Sequence, residues 1–322
     1  MSVTINGTSG VTFNDASNQT TAATGFGFKN RLINGAMQIA QRATSATITA
    51  GSTIAAGYST VDRWYVYCTG ANVTAAQVAG TGAVKNNLQI TGAASVTAVG
   101  IGQRIEQLNS YDLAGSTATL SVNISNSLLT TVTWTAYYAT TADTFGTLAS
   151  PTRTQISTGT FTVTSTLTNY STNISIPAAA TTGVEIVFTV GAQISGTWVI
   201  GNIQLEKGST ATSFDYRPYG TELALCQRYY EKVGFGDSNS RYPNIWGYAA
   251  GAAGAVYMSV SFVVAKRVIP TLVKGTESVL ANGTTSVDGP TYQGFRYFIT
   301  ATALGQAGAA FSTDGVTASA EL

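Results

Sequence analysis

The stretch Thr131-Val-Thr-Trp-Thr-Ala-Tyr-Tyr138 shows the clearest structural pattern in the sequence. Val132, Trp134 and Ala136 occupy alternate positions, and a threonine precedes each of them. Alternation with a period of two directs apolar side chains to one face of a strand and polar side chains to the other. The stretch therefore predicts a β-strand with one face in a hydrophobic core.

The same alternation recurs across residues 31 to 219, between short turns rich in small residues. Many short strands joined in this way predict an antiparallel sandwich of two sheets, so we expect an all-β protein. The other alternating runs are Ala118 to Ile124, Phe161 to Val163, and Val184 to Val190.

One helix is predicted, from Thr221 to Lys232. Thr221 can cap its N-terminus, Glu222 lies in its first turn, and apolar residues recur on one of its faces. The preceding Arg217-Pro-Tyr-Gly220 is a natural boundary between two modules. Strand alternation resumes after the helix and predicts a second, smaller β-sandwich. The predicted division is an N-terminal attachment segment at residues 1–30, a first sandwich at 31–220, and a helix with a second sandwich at 221–322.

Charged residues make up only 10% of the 322 residues, with 16 basic and 15 acidic side chains and a net charge of +1. No basic patch is present to neutralise a row of phosphates, so we expect no binding to nucleic acid. The sequence has no run of about 18 apolar residues, so no membrane insertion is expected. No signal peptide is visible at the start, which predicts folding in a cytoplasm. Cys68 and Cys226 are then predicted to be buried, reduced thiols, with a disulfide between them as the alternative.

Histidine is absent, which removes the commonest general base, the Ser-His and Cys-His pairs and the usual histidine-containing zinc sites. A glycan-cleaving site would need two carboxylates about 5 to 10 Å apart. Glu185 and Glu206 are candidates, but Glu185 alternates with the apolar face of its strand, which predicts a solvated position. We therefore expect no enzyme, no cofactor and no catalytic residue, and we assign no metal ligands.

Two segments of the sequence carry a family resemblance. The first is Lys29-Asn-Arg-Leu-Ile-Asn-Gly-Ala-Met-Gln-Ile-Ala-Gln-Arg42 with Tyr58-Ser-Thr-Val-Asp-Arg-Trp64. The second is Trp198-Val-Ile-Gly-Asn-Ile-Gln-Leu-Glu-Lys-Gly208 with Phe214-Asp-Tyr-Arg-Pro-Tyr219 and Cys226-Gln-Arg-Tyr-Tyr-Glu-Lys232. Together they resemble the recurring module of phage tail-fibre and related virion proteins, whose jelly-roll is similar to carbohydrate-binding modules. The resemblance implies a jelly-roll for the sandwich at residues 31–220, and it leaves a structural calcium ion open.

The resemblance implies a protein of the virion, made in the host cytoplasm. Two roles remain open: a tail-fibre or receptor-binding subunit that recognises host surface glycans, and a non-receptor component such as a head decoration, head fibre or tail-assembly protein. Low charge together with the resemblance predicts a homotrimer or another closed ring. Residues 1–30 lack enough apolar residues for a core, so we expect them to be ordered against other virion proteins.

Aromatic residues are the candidates for sugar binding, because sugar rings stack on them. Trp64 and Trp198 lie within apolar strand patterns and are predicted to be core residues, with a sugar-stacking platform as the alternative for Trp64. The segment from Arg241 to Tyr248 lies in a context rich in Gly, Asn and Ser, which predicts a loop. The alternative is that its rings anchor this loop to the second sandwich. The glycan-binding candidates are Arg241, Tyr242, Asn244, Trp246 and Tyr248.

Overall fold

The computed structural model describes residues 28–51, 57–81, 84–234, 244–311 and 315–322, together with the backbone at 4–6, 10–12 and 18–19. It describes the backbone alone at residues 244, 278, 279 and 311. The N-terminal strands β1 (Thr4–Asn6), β2 (Gly10–Thr12) and β3 (Asn18–Gln19) pair antiparallel in a sheet of their own. Most of the predicted attachment segment lies outside the described residues.

The first sandwich contains strands β4 to β14 and one short helical turn. Its elements are β4 (Ser45–Ile48), β5 (Tyr65–Thr69), β6 (Val73–Ala79), β7 (Asn86–Thr91), β8 (Ala98–Ile105), α1 (Gln107–Ser110) continued by a 3-10 turn (Tyr111–Leu113), β9 (Thr117–Asn126), β10 (Thr131–Ala139), β11 (Arg153–Thr162), β12 (Thr168–Ser175), β13 (Val184–Val190) and β14 (Thr197–Lys207).

The two sheets of this sandwich are antiparallel. The five-stranded sheet has the order β11-β10-β13-β8-β5, and the six-stranded sheet has the order β12-β9-β14-β7-β6-β4. One continuous core lies between them, because apolar residues from both sheets form a single buried cluster. The predicted alternation in β10 is confirmed, since Val132, Trp134 and Ala136 are all buried. Trp64 and Trp198 are core residues, as predicted.

The second module follows a short helix. Its elements are α2 (Tyr219–Gln227), β15 (Tyr230–Val233), β16 (Asn244–Ala249), β17 (Ala255–Ser261), β18 (Thr271–Lys274), β19 (Glu277–Ala281), β20 (Gly283–Asp288), β21 (Gly294–Ala301), β22 (Gly305–Phe311) and β23 (Val316–Ser319). The strands form three sheets, ordered β15-β23-β18, β16-β22-β19 and β17-β21-β20. All three sheets contribute to one smaller core, which confirms the all-β fold class.

The predicted helix from Thr221 to Lys232 is wrong at both ends. The helix begins at Tyr219 after Pro218, and no side chain caps its first turn. It ends at Gln227, because Tyr230–Val233 pairs with β23 instead of continuing the helix. The tyrosines at 229 and 230, which extended the predicted apolar repeat, are buried after the end of the helix, and Tyr230 is the first residue of β15.

Buried ion pairs join the two modules. Glu321, just after the last strand, accepts hydrogen bonds from Arg63 and, at 3.1 Å, from Arg42 Nη2. The Arg63 guanidinium lies 3.6 Å from the centre of the Tyr229 ring. Arg228, just after the helix, pairs with Glu106 of the first sandwich, with 3.0 Å between Nε and Oε1. The modules therefore share a polar interface in which Arg63 is buried, the Glu321 side chain is 9% exposed and the Arg228 side chain is 32% exposed.

One further prediction can be compared with the structure. Cys68 and Cys226 are free and buried, as predicted. Within the described ranges, no helix has the length and apolar character needed to cross a membrane.

Candidate functional site

The glycan-binding candidates fall on strand β16 and the residues before it. Arg241 and Tyr242 lie outside the described residues, and only the backbone of Asn244 is described. The predicted loop is wrong from Asn244 onward. Residues 244–249 pair with β22 along their whole length, and this antiparallel pairing holds the segment as a strand.

Alternation along β16 separates its side chains onto two faces. Ile245 and Ala249 point into the module and are buried. Trp246 and Tyr248 point the other way and are 55% and 69% exposed. Neither ring is a buried anchor, which was the alternative considered for them. Both candidates that the structure describes in full therefore lie on the same outer face of the sheet.

The Trp246 indole lies across Gly308 of the neighbouring strand. The two residues are directly opposite in the β16–β22 register. A Cβ atom built on Gly308 would overlap three carbons of the six-membered ring, so any larger residue here would push the indole away. Because glycine has no side chain, one face of the indole rests on the backbone of β22. Its other face is open to solvent.

Polar and small residues complete this surface. Gln306 is exposed and lies opposite Tyr248 in the same register, so both side chains leave the sheet on the face that carries Trp246. The carbonyl of Gln306 accepts a hydrogen bond from Asn282 Nδ2 at 3.2 Å, and the same amide nitrogen bonds the Ala303 carbonyl at 3.0 Å. These bonds fix the chain at the start of β22. We call Trp246, Tyr248, Gln306 and Gly308 the β16 platform.

The β16 platform has the chemistry that a sugar ring requires. A pyranose presents an apolar C–H face bounded by hydroxyl groups. The open face of Trp246 can stack against the C–H groups, and the Gln306 amide can both donate to and accept from hydroxyls. None of the four residues is charged. The surface is therefore suited to a neutral ligand.

Sequence reasoning found the two aromatic residues of the platform and missed the other two. Gln306 and Gly308 are sixty positions away in the chain and become neighbours only through the β16–β22 register. The run Gly305-Gln-Ala-Gly-Ala-Ala310 contains no aromatic or charged residue that marks a site. The one indication in the sequence was Gly308, which lies two positions after Gln306 and therefore on the same face of a strand.

Glu185 is a correction to the sequence prediction. It was expected to be solvated, but it is completely buried. Its carboxylate accepts a hydrogen bond from Tyr65 Oη at 2.7 Å and one from Arg104 Nε at 2.9 Å, and it also pairs with Arg153. These partners cover the outer face of β13. Glu185 therefore alternates with the apolar residues of β13 because its outer face is covered by ion pairs, not because it meets solvent.

Glu206 is also buried and engaged. Thr212 donates to it through its backbone N–H at 2.9 Å and through its hydroxyl at 2.6 Å, and Gln204 Nε2 donates at 2.8 Å. Glu206 belongs to the six-stranded sheet, whereas Glu185 belongs to the five-stranded sheet. The two carboxylates thus have separate sets of partners and do not face a common cleft.

Asp62 is the acid with the most unusual environment. Burial raises its pKa to about 6, although hydrogen bonds from Gln41 oppose the shift. The carboxylate accepts the Gln41 backbone N–H at 3.0 Å and is 1% exposed. It is therefore a structural group at the junction. In the part of the chain that the structure describes, no three acidic or cysteine side chains are grouped in a way that could hold a metal ion.

No protein-family profile matches the sequence, and no curated protein matches it in sequence. Several solved structures resemble part of the fold. A carbohydrate-binding module of family 4 is 12% identical, covers 54% of this chain and 98% of its own, and has a TM-score of 0.35. The TmCBM61 module in complex with β-1,4-galactotriose is 11% identical, covers 56% of this chain and 100% of its own, and has a TM-score of 0.34.

The enzymatically active domain of tailspike protein 4 from bacteriophage CBA120 is 18% identical, with a TM-score of 0.33. It covers 50% of this chain, and the chain spans 22% of that structure. All three are distant likenesses confined to about half of the chain. Its own strand order and burial define the protein as an all-β chain of two modules with an exposed aromatic surface on the second.

Proposed function

We propose that this protein binds glycans on the outside of a bacteriophage particle, as a tail-fibre or receptor-binding subunit, through the β16 platform. The observation that carries the proposal is the position of Trp246, which lies flat over Gly308 with one face exposed. Exposed indoles are costly in water, since burying such a ring is worth about 2 to 3 kcal/mol. A ring held open in this geometry is explained by a ligand that covers it.

The chemistry of the platform favours neutral sugar units. Stacking on Trp246 and Tyr248 supplies apolar contact, while Gln306 supplies hydrogen bonds to hydroxyls. One such shallow surface gives weak binding, because only one side of the sugar is covered. Repetition of the surface around a closed ring of subunits raises the overall avidity by a factor of about 10² to 10⁴. The proposed homotrimer therefore suits the proposed ligand.

The proposed place in the particle rests on the sequence. The segments around Asn34 and Gln204 resemble phage tail-fibre modules, and the chain is only 10% charged. Strands β1 to β3 form a sheet separate from both modules, which supports an attachment role for residues 1–30 toward other virion proteins. Deletion of residues 2–28 is expected to leave both modules folded and to abolish incorporation into particles. Normal incorporation of the truncated chain would contradict this role.

We also propose that the protein is not an enzyme. The two acids considered for catalysis, Glu185 and Glu206, are buried and bonded to Arg104, Arg153, Thr212 and their neighbours. A general acid must reach the glycosidic oxygen, and a nucleophile must reach the sugar carbon. Neither carboxylate is placed for that contact. Hydrolysis of a host glycan by the purified chain would contradict the proposal.

The test of the platform is Trp246→Ala in whole particles. Adsorption to host cells is expected to slow by about tenfold or more, because the main stacking surface is lost in every subunit. Thermal unfolding and subunit number, measured by light scattering, are expected to stay unchanged. Tyr111→Ala is the matched control, since Tyr111 is 59% exposed but belongs to the first sandwich.

Two outcomes would overturn the assignment. Unchanged adsorption would favour the non-receptor alternative, a head decoration, head fibre or tail-assembly protein, and electron microscopy of labelled particles would then show which. A loss of stability of about 3 kcal/mol or more, as for truncating a buried aromatic, would show that Trp246 is a core residue.

A further inference from the structure

A second exposed aromatic lies on the outer face of a different sheet. Tyr257 of β17 is 57% exposed and stands directly opposite Phe298 of β21, with 5.5 Å between their ring centres. Neighbouring positions on these strands, such as Val260 and Phe295, point inward and are buried. Tyr257 is therefore held by a ring beside it while more than half of its surface meets solvent.

Arg296 and Asp288 form a fixed polar edge beside this ring. They are opposite each other in the β20–β21 register. Their contact is bidentate, with Nε at 2.7 Å from Oδ1 and Nη2 at 2.6 Å from Oδ2. The same guanidinium lies 4.7 Å from the centre of the Tyr257 ring. Two partners thus set the plane of the guanidinium, and its remaining N–H groups are free to donate outward.

A cleft of about 290 Å³ adjoins this edge. Ser259 and Ser261 of β17 line one side, and Thr291 and Gln293 line the other. The two serine hydroxyls are exposed and make no hydrogen bond to any described residue. The Thr291 hydroxyl, in contrast, is engaged in its own turn, donating to the Gly294 carbonyl at 3.0 Å. The cleft therefore offers two unoccupied hydroxyls next to a fixed guanidinium and carboxylate.

This cleft lies on the opposite side of the module from the β16 platform. The two sheets face each other through their inner residues, because Gly247 of β16 is packed against Val256 of β17. Trp246 and Tyr257 are each next to one of these inward residues in the chain, so alternation directs them outward from opposite sheets. One sugar unit cannot contact both surfaces.

We infer that Tyr257, Arg296, Asp288 and the two serines form a second sugar site, which takes a neutral pyranose unit. This inference rests on the proposed function and makes the second module bivalent. Tyr257 supplies the stacking surface, and the Arg296–Asp288 pair can donate to one hydroxyl and accept from the next. Because Asp288 cancels the charge of Arg296, the site has no net attraction for an acidic sugar. Each subunit can then hold two separate glycan chains.

The test uses the full chain with Trp246→Ala, which leaves only the second site. The probes are methyl β-D-galactopyranoside, methyl β-D-glucopyranoside and methyl α-D-mannopyranoside, with D-glucuronate as the acidic comparison. Saturation-transfer NMR from protein to sugar is expected for at least one neutral glycoside and to be absent for glucuronate. Addition of Tyr257→Ala is expected to weaken binding about tenfold, the loss of one stacked ring.

Conservative variants separate the site from general damage. Tyr257→Phe keeps the ring and is expected to keep the transfer, whereas Arg296→Lys loses the bidentate pair and is expected to weaken it. Tyr111→Ala, on the first sandwich, is expected to change nothing.

Three results would be decisive against one idea or the other. Transfer from the wild-type chain that disappears with Trp246→Ala alone would overturn the second site and leave the proposed function standing. Transfer that is unchanged by Trp246→Ala and lost with Tyr257→Ala would support the second site. It would also contradict sugar binding at the β16 platform. Absence of transfer from the wild-type chain to every probe would overturn both.

Discussion

The tryptophans of the two modules differ in their burial. Trp64, Trp134 and Trp198 of the first sandwich are buried in one large core, whereas Trp246 of the second module is more than half exposed. The second core is smaller and contains no tryptophan; it combines several alanines with the rings of Phe262, Phe295 and Tyr297.

The difference follows from what lies between the sheets. The indoles of the first module lie among many aliphatic side chains in one wide core between sheets of five and six strands. The smaller core of the second module holds the rings of Phe262, Phe295 and Tyr297 but no indole. Trp246, Tyr248 and Tyr257 lie instead on the outer faces of its sheets.

The largest expected effect is on the first core. Trp198→Ala should lower the free energy of unfolding by about 4 kcal/mol, since it leaves a cavity where a buried indole stood. Trp246→Ala should lower it by less than about 1 kcal/mol, as is usual for an exposed side chain. Denaturant unfolding of both variants measures the contrast. Similar losses in the two variants would contradict the difference in burial between Trp198 and Trp246.

The second-largest loss of stability is expected when the charge on Glu185 is removed. Glu185→Gln keeps the side-chain volume but leaves Arg104 and Arg153 without their carboxylate in a buried site, at a cost of about 3 kcal/mol. Asp112→Asn is the matched control, because its pair with Arg31 is roughly one-third exposed, and it should cost less than about 1 kcal/mol. A near-neutral Glu185→Gln variant would mean that water reaches the outer face of β13.

The raised pKa of Asp62, at the junction of the two modules, predicts that the free energy of unfolding depends on pH. Its pKa in the folded chain is about 6, above its ordinary value of 3.8, so the folded state binds the proton more tightly than the unfolded state. Its contribution to stability is therefore fully present below pH 4 and is lost as the pH rises through 6, by roughly 3 kcal/mol. Denaturant unfolding of wild type and Asp62→Asn at pH 4 and pH 7 isolates this change. A constant difference between the two chains would show that Asp62 ionises normally.

The smallest effect on stability, and a sharp one on binding, is expected for Gly308→Ala. The new methyl group would displace the Trp246 ring from the sheet, with a change of less than about 1 kcal/mol in unfolding free energy. Particle adsorption should nevertheless fall as it does in Trp246→Ala. Gly251→Ala is the control, because nothing lies within 4 Å of the added methyl group there. Normal adsorption of Gly308→Ala would mean that the flat position of the indole is not required.

Local periodicity predicted the parts of the fold that depend on local burial. The strand through Trp134 was recognisable because one of its faces is apolar over its whole length. Glu185 was misjudged because the groups that cover it, Arg104, Arg153 and Tyr65, come from three other strands. The helix end was missed for a similar reason, since β23 lies some ninety residues further along the chain.

The candidate site was predictable only in part. Aromatic residues among small polar ones marked Trp246 and Tyr248, because such a composition is unusual in a core. Nothing in the sequence places Gly308 beneath the indole or sets Arg296 against Asp288, since both arrangements depend on strand register. Register is determined by the packing of the whole module rather than by a single strand.

The resting place of Trp246 on Gly308 also has an optical consequence. Of the four tryptophans in the chain, this is the one whose indole meets water over more than half of its surface. Dissolved iodide can collide with it but not with the three enclosed indoles, so quenching of the intrinsic fluorescence reports on this single ring. A molecule that settles on the ring would shield it, and the protein thus contains its own fluorescent reporter of occupancy.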